Sequence, residues 1–167
     1  MLVGGQICSV KNPESRTTMK RPFPLYVLLL LHGVLAVGAL YGGWKLLTDP
    51  INFGMRPEWL DHSPFHSYTV PGLVLLLLLG VFPLIVARGL MQRSFLPFAY
   101  VFNIYRDRHW AWTYSLIVGL ILIGWINVQI SLVPYFWMQP LFLAWGLAIL
   151  IFTLWPSVMR YYQKNLA

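Results

Sequence analysis

The sequence predicts an all-α protein, a four-helix transmembrane bundle with both termini cytoplasmic, and three observations carry that expectation. First, hydrophobic residues make up 58% of the 167 residues and charged residues only 10%, where a soluble domain carries about a quarter charged residues. A chain so poor in charge cannot cover a water-facing surface. Second, four apolar runs, at about 26–47, 70–91, 109–133 and 140–159, approach or exceed the roughly 20 residues that cross a 30 Å hydrocarbon layer. Third, the cations are distributed unevenly between the connectors. Lys11, Arg16, Lys20, Arg21, Arg88, Arg93, Arg106, Arg108, Arg160 and Lys164 fall on one side and only Lys45 and Arg56 on the other. Ten against two sets the basic side as cytoplasmic under the positive-inside rule. The expected location is the cell inner (cytoplasmic) membrane, multi-pass, N-in/C-in.

The net charge of +7 fits the same picture. The basic residues flank apolar runs, so their partner is the anionic headgroup layer and not nucleic acid. Cys8 is the single cysteine, which excludes a disulfide within the chain.

Residues 1–18 are polar and lack helical periodicity, whereas Met19 opens MKRPFPLYVLLLLHG, a basic pair followed by an apolar run. The segment 1–18 therefore reads as a disordered tail or as sequence preceding the natural start, and 19–167 as the membrane domain. The run at 26–47 is 22 residues long. It exceeds a signal h-region of about 7–15 residues and reads as a retained helix. Within it, Gly38/Gly42 and Ala39/Gly43 are two pairs of small residues at four-residue spacing, which lets a neighbouring backbone approach, from this chain or from a second copy. His32 lies inside the same run as a lone intramembrane imidazole, expected to be hydrogen-bonded within the bundle. Trp44 and Lys45 mark the outer interface, and Asp49-Pro50 ends the helix.

The second run starts near Val70, with Pro71 in its first turn and Pro83 in its middle, where a kink is expected. Ser94–Arg108, rich in Phe and Tyr, is too short to span and reads as a segment lying at the inner interface. The third run opens with HWAWTYS and ends before Pro134. The fourth begins after Gln139, which is placed at its N-cap. Pro156 should loosen its last turns.

Polar residues gather on the outer side. The loop Thr48–Pro71 carries Asp49, Glu58, Asp61, His62 and His66. Trp125 and Gln129 share a face of the third helix, and Gln139 opens the fourth. Together Asp49, Asp61, His62, His66, Trp125, Gln129 and Gln139 could line an outward-facing pocket. His62, His66 and Asp61 are a sparse set of metal-ligand types, but Pro64 interrupts any helix through both histidines and no HExxH is present, so no metal site is assigned. No phosphate loop, nucleophile elbow, CxxC or CxxCH occurs, and no cofactor is implied.

The segments TDP, SPFHSY followed by PGL, HWAW, GWINVQ and QPL, in this order, resemble an uncharacterised family of small bacterial four-helix integral membrane proteins. The resemblance covers about Met19 to Tyr162 and implies the four-helix architecture and a start at Met19. It implies no activity. The expected function is a non-enzymatic accessory, scaffold or self-associating bundle, whose partners are the lipid bilayer and other membrane subunits or a second copy. The alternative is a membrane enzyme or carrier that binds a lipid-like or quinone-like molecule in the outward pocket.

Overall fold

A computed structural model describes residues 20–60, 64–93, 104–105, 107–132, 134–135 and 137–163. The described residues are overwhelmingly helical and contain no β-strand, only an isolated bridge between Arg108 and Gln163. The helices are α1 (Phe23–Thr48), α2 (Thr69–Gln92), α3 (Trp110–Leu132), α4 (Met138–Thr153) and α5 (Pro156–Tyr162). The first three are apolar enough and long enough to cross a membrane. The chain is thus a multi-pass membrane protein by length and composition.

α1 starts three residues earlier than its apolar run suggests, because Pro24 falls in the first turn, where its missing N–H is not needed. It ends at Thr48, whose hydroxyl donates back to the Trp44 carbonyl, and Asp49 follows as C-cap. α1 packs along α2 and also along α4, while α3 packs along α4 and the second half of α2. Glycines set the close approaches. A Cβ on Gly43 would lie 2.8 Å from the Leu76 backbone nitrogen and 2.9 Å from the Gly72 carbonyl oxygen. Gly119 and Gly146 do the same for α3 and α4, each facing the other's carbonyl.

Pro83 does not break α2. Its effect appears one turn earlier, as a π-helical stretch over Leu75–Val81 in which the Phe82 N–H reaches the Leu77 carbonyl. A π turn shifts the hydrogen-bond register by one residue and so accommodates a proline that cannot donate.

Pro156 acts more strongly than the sequence suggests. The expected fourth span at 140–159 is instead two helices, α4 and α5, meeting at 59°. Trp155 takes φ −59° and ψ 130°, the extended conformation that a following proline imposes, so no α turn can pass through it. α4 has 16 residues, about 24 Å at 1.5 Å per residue, and falls short of the roughly 30 Å layer. It crosses only if the bent pair counts as one span. α4 also begins at Met138, so Gln139 sits in its first turn and not at the N-cap. Pro140 needs no donor in that turn and lets the helix start early.

One end of the molecule is stitched by cations and phenols. Arg21 donates to the Met91 carbonyl at 3.1 Å, the Tyr162 hydroxyl donates to the Leu90 carbonyl, and the His109 N–H donates to the Tyr162 carbonyl. Arg93 takes the left-handed conformation (φ 47°), donates to the Tyr161 carbonyl and lies 3.7 Å over the Tyr161 ring. The start of α1, the end of α2, the start of α3 and α5 therefore share this basic end.

Candidate functional site

Of the residues expected to line an outward pocket, Asp49, His66, Trp125, Gln129 and Gln139 are described. Asp49 is occupied by its own loop, accepting from the Asn52 side-chain amide at 2.9 Å and the Asn52 N–H at 3.4 Å. His66 is exposed. Asp61 and His62, like the tail 1–18 and most of the interfacial segment 94–108, lie outside the described residues. Gln139 is buried at the start of α4. Trp125 and Gln129 are half-buried on α3. The Trp125 indole N–H is shielded and has no partner among the described residues. The outer loop has a contact of its own: the Tyr68 hydroxyl donates to the Arg56 carbonyl at 2.6 Å. Burial, and after it the Glu58 carboxylate, raise the Tyr68 phenol above its ordinary pKa and keep it a donor.

The small pairs of α1 divide. Ala39, Gly42 and Gly43 are buried, with Gly42 and Gly43 turned to α2 of the same chain, whereas Gly38 is exposed and a Cβ there would meet nothing within 4 Å.

The densest polar cluster lies elsewhere, in the half of the protein near the basic end. His32, Ser115 and Thr153 come from α1, α3 and α4 and are fully buried. The Thr153 hydroxyl is 2.7 Å from the Ile149 carbonyl and 2.7 Å from Ser115 Oγ, which is 3.3 Å from His32 Nε2. His32 Nδ1 lies 2.9 Å from the Leu28 carbonyl. A carbonyl only accepts, so Nδ1 carries the hydrogen and Nε2 of the neutral ring is an acceptor. Two hydroxyl protons then serve three contacts and must be shared among them.

The helix break explains why the cluster sits here. Past Thr153 the α ladder stops, which leaves the Thr153 carbonyl without its usual donor. The Trp112 indole supplies one, at 2.8 Å. Ser115 is one turn along the same helix and meets the Thr153 hydroxyl. Two turns before Thr153 on α4, Trp145 donates its indole N–H to the Leu31 carbonyl of α1 at 3.1 Å. Sequence reading singled out His32 but missed Ser115 and Thr153. Single hydroxyls in apolar helices give no signal alone, and the useful clue was Thr153 standing three residues before a proline.

Polar side chains on exposed faces are satisfied locally. Asn127 donates to the Ile123 carbonyl at 2.8 Å and Ser131 to the Asn127 carbonyl at 3.0 Å, each one turn back. No such bond is formed by Gln129 among the described residues. Gln129→Leu should therefore change stability by less than about 1 kcal/mol, read as the thermal midpoint of the purified protein. A loss beyond about 2 kcal/mol would show that its amide is held.

An open groove of about 770 Å³ runs over the outer surface of α1 and α2, lined by Leu29, Leu30, Gly33, Val34, Val37, Gly38 and Leu84. A second, of about 490 Å³, lies in the outer loop between Ile51 and Glu58. Neither includes Trp125, Gln129 or Gln139.

No protein-family model matches the chain, and no curated protein or solved structure is detectably similar to it.

Proposed function

We propose that the chain is a four-span protein of the inner membrane, N-in/C-in, that serves as a non-enzymatic accessory or scaffold, assembling with other membrane subunits or with a second copy. The observation that carries this reading is the closure of the buried polar groups on one another. Trp112 and Trp145 donate from one helix to another, and His32, Ser115 and Thr153 contact one another across three helices, with the remaining bonds of His32 and Thr153 closed on their own helices. Such groups hold a bundle together, whereas a catalytic or carrier site presents them to a cavity. The basic end, with Arg21, Arg88, Arg93, Arg108 and Arg160, is assigned to the cytoplasm.

Two measurements test the proposal. Cysteines at Ser67 and Gln92, both exposed at opposite ends of α2, should react with an impermeant thiol reagent from opposite sides of intact cells, Ser67 from outside. Reaction of both from one side removes the four-span topology. Crosslinking followed by mild-detergent purification should recover a defined membrane-protein partner or a dimer. A monomer carrying a stoichiometric quinone-like or lipid-like molecule at Trp125 would favour the carrier reading, which the unpaired indole N–H supports.

A further inference from the structure

We propose that the groove on α1 and α2 is a binding site for an anionic phospholipid of the leaflet at the basic end, with an acyl chain in the groove and the phosphate against Arg88. The groove is almost wholly apolar, as an acyl chain requires. Along α1 it extends from Leu29 to Gly38, about 14 Å at 1.5 Å per residue. One leaflet of a roughly 30 Å hydrocarbon layer has about the same depth.

Its charge lies at one end only. Leu84 lines the groove from α2, and Arg88 stands one turn further on the same face, toward the basic end. The antiparallel pairing of Gly80 with Leu40 and of Gly43 with Leu76 carries on to place Arg88 level with Leu31 and His32, in the third of the groove nearest the basic end. Arg88 is exposed, and among the described residues it pairs with no acid; the ion pair that does form joins Arg108 to Asp107. A guanidinium at this depth reaches the interface along its own apolar stem and meets a phosphate there.

The shape favours a flexible chain over a second helix. Close helix contact needs small residues aligned at four-residue spacing. Gly33 and Gly38 are five apart, which turns them about 140° from each other around α1. They notch opposite margins of the groove, and a Cβ at either would meet nothing within 4 Å.

The test is native mass spectrometry of the full chain released from vesicles of phosphatidylglycerol and phosphatidylcholine in equal amounts. The wild type should retain one phosphatidylglycerol per chain in preference to phosphatidylcholine. Arg88→Gln should weaken that preference about fivefold, the weight of one cation at a charged membrane surface. Gly38→Leu fills the groove at an open position and should remove retained lipid of both kinds without changing the thermal midpoint. Equal retention of the two lipids, or retention unaffected by both substitutions, overturns the proposal. So does a dimer that Gly38→Leu turns into a monomer with lipid retention unchanged, since the groove would then hold a second copy.

Discussion

Gly43→Ala should destabilise the protein by about 1–3 kcal/mol, the range for forcing an extra methyl into a close-packed interior, while Gly38→Ala leaves stability within about 0.5 kcal/mol. The two glycines lie on one helix and belong to the same small-residue pattern, yet they face different surroundings. At Gly43 the new methyl would sit 2.8 Å from the Leu76 backbone nitrogen and 2.9 Å from the Gly72 carbonyl oxygen. Backbone atoms inside a helix cannot swing aside, so α1 and α2 must separate along their shared length. At Gly38 a methyl meets open space. Thermal midpoints of the two variants in the same detergent decide the matter. Equal losses, or none at Gly43, would mean that α1 and α2 do not touch at this position.

Trp112→Phe should cost at least about 1–3 kcal/mol, because it leaves the buried Thr153 carbonyl without a donor, with a further loss for the void left by the smaller ring. A second substitution tells the hydrogen bond from the void. In Pro156→Ala the α ladder can run on, and the Ser157 N–H can then reach the Thr153 carbonyl. Trp112→Phe should be milder in that background than in the wild type. Coupling of this kind is expected for groups that share one acceptor. Strict additivity would show that Trp112 acts only by filling space.

The helical character, the end of α1 and the opening of α2 could be read from the chain because each follows from a local rule. Pro71 sits in a first turn, and Asp49-Pro50 stops the first helix. The consequences of Pro83 and Pro156 were harder to read. The same residue type in the same apolar setting gives a π turn in one case and a 59° break in the other. The neighbours decide: the carbonyl exposed by the break is taken up by Trp112, a residue 41 positions away. The His32–Ser115–Thr153 cluster was illegible for the same reason, since its members share a site only once three helices are in place. The individual surroundings of the outer residues were equally out of reach of the sequence. Asp49 bonds Asn52, His66 is exposed, and Gln139 is buried in the first turn of α4.

The contacts of α1 also set an order for biosynthesis. It is the first described helix to emerge from the ribosome, yet Ser115 lies 83 residues beyond His32 and Trp145 lies 114 beyond Leu31. At about 5–20 residues per second, Trp145 arrives roughly 6–23 s after Leu31. Until Ser115 arrives, roughly 4–17 s after His32, the His32 imidazole has only its own helix to bond. A nascent chain that stalls before α3 thus displays an unquenched imidazole in the bilayer, a feature that membrane quality control can recognise, and the arrival of Ser115 removes it.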